Sequence, residues 1–353
     1  MATINELKMM TLTAAVNEMK SPNRFLSRLL FGNHVTVPTE DIEMSIINNG
    51  RNIAPFIRKN GEAIMVGGYT STNQTVAAPN IRIKRPFTPS ELLFGRRPGS
   101  VIHLPNAQYQ LNQIQQHVAR DLQIMSDLVT NAEEYLCAMV LQGTISYSVT
   151  DQEVFTITFP KPAAHNVTLT TCWDETGFTA AMFSANMLTV KRLISDAVGL
   201  GVTDCIMGTE ASDALSGIVA AGTLKNLDTR RVEVGSFDFT QQFRDDGVIY
   251  RGTLEGIRFW EYGRTASLNG TSTSMIRAKY CEFIAVTPAA EFTQYYGAIA
   301  DMKALQGRLF QAERFAKSWE VEDPSAMMAL LASRPLPVPR RPGAMVSVKV
   351  VSG

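Results

Sequence analysis

The residues able to do chemistry are few and scattered. Four histidines, His34, His103, His117 and His165, stand apart from one another. None belongs to an H-E-x-x-H pair, so a zinc hydrolase has no ligand set to start from. The four cysteines, Cys137, Cys172, Cys205 and Cys281, include no C-x-x-C pair and read as reduced, mostly buried thiols. No P-loop phosphate cradle, dinucleotide-binding glycine turn or G-x-S-x-G elbow occurs. Asp245-Asp246 stands before Gly247 and reads as a turn. Glu133-Glu134 has no histidine beside it, and no Ser, His and Asp spacing suggests a triad. These residues expect no catalytic group, no cofactor and no metal. One covalent chemistry leaves no local signature, a Lys–Asn isopeptide bond between subunits, which needs only those two side chains and a nearby carboxylate.

The elements that would position any such group begin with residues 106–141. Leu111, Ile114, Val118, Leu122, Met125, Val129, Ala132, Leu136 and Met139 recur in steps of three and four, one stripe along a helix. Pro105 stands before it, Gly143 after it, and neither residue type interrupts it. The opposite face carries Gln113, Gln116, Arg120, Gln123, Asp127, Thr130 and Glu134. No second helix of matching length is legible, so this one is expected to act as a beam packed on sheet and loop.

Around that beam the chain divides into an arm at 1–37, an extended loop with flanking strands at 38–99, a beam-bearing region at 100–179, a small α/β unit at 180–280, and late strands at 281–353. In the arm, a short helix near Leu12 and Met19 and another carrying Phe25, Leu26, Leu29 and Leu30 are too short to stand alone, and their apolar faces need a neighbour in the same chain or in another copy. Ile42, Met44 and Ile46 alternate as a strand, Thr70 to Gln74 reads as a mobile polar tip, and Ile81 to Lys84 returns as a strand. A helix from about 178 to 198, a strand at 204–207, a helix at 210–220 and an aromatic-rich hairpin near 247–262 compose the α/β unit. Asp323-Pro324 reads as the cap of a helix running to Leu331. Pro335, Pro337, Pro339 and Pro342 impose an extended run, and a last strand closes at 344–351.

Lys+Arg is 33 and Asp+Glu is 33, so net charge is zero, 45% of residues are hydrophobic and 19% charged. That balance disfavours tight sequence-independent binding of nucleic acid and suits molecules packed against copies of themselves. No run approaches the ~20 apolar residues of a membrane span. The balance is uneven locally: Arg51, Arg58, Lys59, Arg82, Lys84 and Arg85 make the 51–97 region basic, whereas the beam carries Asp121, Asp127, Glu133 and Glu134. The hypothesis is that the basic loop lies across the beam of an adjacent copy, with Phe25 and Leu26 of the arm also at contacts between copies. A single copy would then leave its arm and loop unsatisfied.

The order of elements resembles the major capsid proteins of tailed bacteriophages, specifically the lambda-type E family of major head proteins. The resemblance is carried by Leu12-Thr13-Ala14-Ala15-Val16-Asn17, Phe31-Gly32, Ile53-Ala54-Pro55-Phe56-Ile57, Glu134-Tyr135, Leu141-Gln142-Gly143, Val248-Ile249-Tyr250-Arg251-Gly252, Phe259-Trp260-Glu261-Tyr262, Tyr296-Gly297-Ala298-Ile299-Ala300-Asp301, Lys317-Ser318-Trp319 and Ser333-Arg334-Pro335-Leu336-Pro337-Val338-Pro339. It implies an α+β Hong Kong 97-type capsid fold. The arm would be N-terminal, 52–86 would lie in the extended β-hairpin loop, 106–141 would be the spine helix of a peripheral domain, and the α/β unit would be the axial domain. The late strands would return to the peripheral domain. Copies would assemble as pentamers and hexamers into an icosahedral virion shell around double-stranded DNA, put together in the host cytoplasm. A separate scaffold protein, a decoration protein and weak non-specific contact with DNA are the further partners it implies. The rival readings are an α/β hydrolase or transferase, and another phage ring or tube subunit.

Overall fold

The structure is a computed structural model that describes residues 9–18, 24–48, 70–87, 107–148, 154–220, 248–268, 271–288, 292–306, 310–322 and 326–353. Helices α1 (Met9–Glu18) and α2 (Phe25–Leu30) precede β1 (Asn33–Thr36), the hairpin of β2 (Asp41–Asn48) and β3 (Thr70–Ala77), and β4 (Ile81–Phe87). Next comes α3 (Ala107–Leu141), an unbroken helix of 35 residues, about 52 Å long at 1.5 Å per residue. Gly143 closes it at φ +87°, donating its N–H to Val140 O.

A hairpin of β5 (Thr144–Ser148) and β6 (Val154–Thr158) leads through β7 (Asn166–Thr168) to α4 (Ala180–Val198). The Thr179 hydroxyl accepts the Met182 N–H at the start of α4, and Gly199 ends it in the left-handed region, as N-cap and C-cap chemistry require. The chain continues through β8 (Asp204–Met207), α5 (Thr209–Ala220), β9 (Val248–Leu254), β10 (Ile257–Tyr262), β11 (Thr265–Leu268), β12 (Thr271–Ser274), β13 (Tyr280–Ile284) and β14 (Phe292–Tyr296). It finishes with α6 (Met302–Gln306), β15 (Phe315–Val321), β16 (Ala326–Ser333), β17 (Pro335–Pro339) and β18 (Met345–Lys349).

Three sheets carry the body. A six-stranded mixed sheet has the order β7-β18-β13-β8-β10-β9, and two three-stranded sheets have the orders β1-β14-β17 and β15-β16-β4. The largest core joins α2, the last turns of α3, α4 and the six-stranded sheet. A second core packs Leu12 and Val16 of α1 against Leu122, Met125 and Val129 of α3 and against Phe87, Ala316 and Leu331 of the β15-β16-β4 sheet. The beam therefore does rest on sheet.

Several expectations need correction. The two arm helices find their neighbour in the same chain: Leu12, Val16, Phe25, Leu26 and Leu30 are buried in its own cores. Thr13 is pinned to β15 by two hydrogen bonds, its Oγ1 donating to Ala316 O and accepting from Ala316 N–H, both 3.2 Å. The helix expected up to Leu331 is β16, which pairs with β15 on one side and β4 on the other. Its Ala, Met and Leu favour helix, but pairing along both edges outweighs a propensity of a few tenths of a kcal/mol per residue. Thr70 to Gln74 is paired with β2 rather than forming a tip. Two late strands, β13 and β18, join the α/β sheet, and β14 to β17 pair beneath the beam. The expected boundary at residue 280 thus cuts one sheet.

Candidate assembly surface

The long helix organises the polar side chains that matter. Ser126, Thr130 and Glu133 stand at i, i+4 and i+7, one row on α3. Arg314, just before β15, lies along that row. Its Nη1 donates to Ser126 Oγ at 2.5 Å, and its Nη2 donates to Thr130 Oγ1 at 2.9 Å and to Glu133 Oε2 at 2.8 Å. Arg24 approaches the same carboxylate at 3.5 Å, and the Tyr296 hydroxyl donates to its other oxygen at 3.5 Å. Burial, then Glu133 and Glu313, pushes the Tyr296 phenol well above its ordinary range.

Glu134 works on the other side of the same turn. Its Oε1 accepts the Leu26 N–H at 2.6 Å and the Tyr262 hydroxyl at 3.0 Å, and its Oε2 accepts the Ser27 N–H at 3.1 Å. Arg24, the residue before α2, offers no side-chain cap. A carboxylate 108 positions away caps α2 instead, satisfying two N–H groups that a helix start leaves orphaned. Phe25 then stacks beside Trp260 and Tyr262, with ring centroids 5.3 and 5.9 Å apart. Burial raises the Glu134 carboxyl above its ordinary value, opposed by the two backbone donors, Tyr262 and Arg264.

Four of the contact candidates therefore belong to the interior: Phe25, Leu26, Glu133 and Glu134 are each at most 4% exposed, with partners in their own chain. They are corrected from lattice-like contacts to core residues. The reason is legible after the fact. From Tyr135 to Leu141 the helix is apolar all round, so that end is enclosed, and the adjacent acidic pair had to find internal partners. The basic candidates on β4 are exposed but also engaged at home. Arg82 Nη2 lies 3.3 Å from Asp301, which Lys317 also binds, and Arg85 Nη1 lies 3.3 Å from Asp121 of α3. Lys84 stands exposed between them. Arg51, Arg58 and Lys59 lie outside the described residues. The structure brings Arg85 to the beam of its own chain. Arg24, Arg314, Tyr262 and Tyr296, which complete the two carboxylate sites, carry no local sequence signal.

Asp127 differs from the other candidates. It is half-buried, one carboxylate oxygen has no hydrogen-bond partner, and burial raises its pKa against the pull of Arg314. Ile124 and Leu128, one turn apart beside it, are 42% and 51% exposed. Ile124 and Leu128 make this stretch of α3 an exposed apolar strip, and the unpartnered Asp127 oxygen lies buried beside it. Among the described residues no group of three or more His, Cys, Asp or Glu could hold a metal, and no helix is long and apolar enough to cross a membrane.

Residues 8–350 match the family described as phage major capsid protein E. No curated protein sequence matches. Among solved structures, the fold is similar to that of a protein described as the capsid protein of an Escherichia coli CFT073 prophage, with a TM-score of 0.73 at 17% identity, covering 98% of this chain and 99% of that one. A phage-related protein of Bordetella bronchiseptica RB50 gives 0.52 at 10% identity over 96% of both chains. A capsid chain of cyanophage A-1(L) gives 0.51 at 10% identity over 95% of both. The long helix, the β2–β3 pair and the α/β sheet are thus parts of a Hong Kong 97-type capsid fold, and the chain belongs to the phage major capsid protein E family.

Proposed function

We propose that copies of this chain join head to tail into pentamers and hexamers, which tile an icosahedral shell around double-stranded DNA. The match across 8–350 carries the reading. Heterologous contacts between identical subunits close into rings, and many modest contacts per subunit make a stable shell. Zero net charge fits a container that touches its DNA weakly and confines it mechanically. A separate scaffold protein guides assembly in the host cytoplasm, and a decoration protein is a further partner of the finished virion.

In the same reading, the basic segment between β2 and β3 of one copy, with Arg51, Arg58 and Lys59, lies on the Ile124, Asp127 and Leu128 strip of its neighbour's α3. The exposed apolar area of Ile124 and Leu128 supports that seat. Reversing Arg82, Lys84 and Arg85 is a poor test, because Arg82 and Arg85 also hold their own chain together. Replacing Arg51, Arg58 and Lys59 by Glu is the cleaner one. Electron microscopy of the expressed protein, with a scaffold where one is required, is expected to show closed shells for the natural chain and none for the triple variant. Tubes or single rings would favour another phage structural subunit, and a compact active monomer an enzyme.

A further inference from the structure

Edge strands expose unpaired N–H and C=O groups, and proteins that must not join edge to edge block them with charge, proline or cover. In the sheets of three or more strands, most edges here are blocked. On β4 stand Arg82, Lys84, Arg85 and Pro86. Edge strand β15 carries Lys317 and Glu320 and is packed by α1. The β9 edge carries Arg251. On β17 the Arg334 carbonyl accepts from Gly297 N–H on the β14 side. Alternation then turns Pro335, Pro337 and Pro339 the other way, leaving no donor on the outer edge.

The exception, beside the three-residue β7, is β1. Its sequence is Asn33-His34-Val35-Thr36, without Lys, Arg, Asp, Glu or Pro, and all four residues are exposed. It pairs parallel with β14, and Val37 N–H donates to Tyr296 O at 2.8 Å. The same alternation puts Val35 on the paired side and turns the N–H and C=O of His34 and Thr36 outward. His34 is held in place, edge-on to Tyr296 at 5.6 Å and 3.2 Å from Glu313. The edge is therefore short, rigid, uncharged along its backbone, and open.

We propose that β1 is an assembly edge that pairs antiparallel with β1 of a second copy across a two-fold axis, His34 facing the partner's Thr36 and Val35 facing the partner's Val35. Two copies of His34 and Thr36 exchange four backbone hydrogen bonds, and the two β1-β14-β17 sheets become one six-stranded sheet. A second copy is the fitting occupant because the edge is complementary to itself under a two-fold operation, needs no opposite charge, and belongs to a shell-forming family. The inference rests on the shell reading above.

The register names its own test. In this arrangement Val35 meets the partner's Val35 as a non-hydrogen-bonded pair, with Cα atoms about 4.5 Å apart, inside the span a disulfide bridges. All four natural cysteines are buried, so background is low. Val35→Cys shells treated with oxidised glutathione are expected to yield covalent dimers on non-reducing gels, and the same subunits kept dilute and unassembled to yield none. Thr36→Lys, which installs the missing guard at an exposed position, is expected to keep the subunit's denaturation midpoint and to abolish closed shells. Val35→Cys shells without dimers, or Thr36→Lys shells in normal yield, would overturn the pairing. If the natural chain forms no shells, the shell reading falls first and this inference with it.

Discussion

Replacing Glu134 tests how the arm is held. In Glu134→Ala, the N–H groups of Leu26 and Ser27 lose their acceptors at 2.6 and 3.1 Å, and the Tyr262 hydroxyl loses one of its own. Leaving a buried donor unsatisfied costs about 1–3 kcal/mol. Two stranded N–H groups, partly relieved by water entering the gap, give a loss of about 2–5 kcal/mol. That is a large fraction of the roughly 5–15 kcal/mol typical of a folded domain. Glu134→Gln keeps one oxygen for Leu26 and Tyr262 and sets an amide against Ser27, so its loss is expected to be less than half as large. Trp260 lies 5.3 Å from Phe25 at the start of α2 and reports the detachment directly. Urea unfolding of unassembled subunits at neutral pH, followed by tryptophan fluorescence, gives the free energies. Trypsin cleavage at Arg24 and Arg28 gives the local opening. The sign with pH is also set. Burial raises the folded pKa of Glu134, so its contribution is full below the unfolded value and is lost as pH rises through the folded one. Glu134→Gln removes that dependence. A Glu134→Ala subunit within about 0.5 kcal/mol of the natural chain, with arm cleavage unchanged, would refute the cap.

Other perturbations give equally definite outcomes. Arg314→Met leaves the buried Glu133 carboxylate with Arg24 and the Tyr296 hydroxyl, each at 3.5 Å, and is expected to cost about 3–5 kcal/mol. Adding Glu133→Met should recover most of that loss in the same urea titration, and an additive double variant would contradict the pairing. Gly208→Ala drives a Cβ into the backbone carbonyl oxygens of Arg277 and Ala278, so about 2–3 kcal/mol is expected and an unchanged midpoint would be inconsistent. Lys161, donating to Leu141 O at 3.3 Å and Ser347 Oγ at 2.7 Å, has its pKa lowered by burial from 10.5 to about 8. The unfolded chain therefore binds more protons between those values, and stability rises with pH across that window by about 2–3 kcal/mol. Lys161→Met should flatten that rise, measured as melting temperature against pH.

Legibility followed periodicity and punctuation. The span of α3 is readable because no Gly or Pro breaks its stripe and Gly143 ends it. The end of α4 is readable from Gly199, and β8 from its short apolar run. Where partners decide, reading failed. Nothing in Asn33-His34-Val35-Thr36 announces a strand, since β1 exists because β14 offers it an edge. The composition of β16 argues for helix until β4 and β15 are known to flank it. The contact candidates failed in the same way. Charge and exposure look alike for Asp127 and Glu134 on a helical wheel, and only the approach of α2 and β10 separates a surface carboxylate from a buried cap. Arg314 reaches Glu133 across 181 positions, and no spacing rule connects them.

The hydrogen bonds from Thr13 to Ala316 span 303 positions, and this has a consequence for synthesis. About 300 residues must be made after α1 before the strand it docks on exists. Over that interval the greasy stretch has no berth on its own polypeptide, a condition that favours chaperone capture. A product that stops short of β15 is marked by a loose first helix.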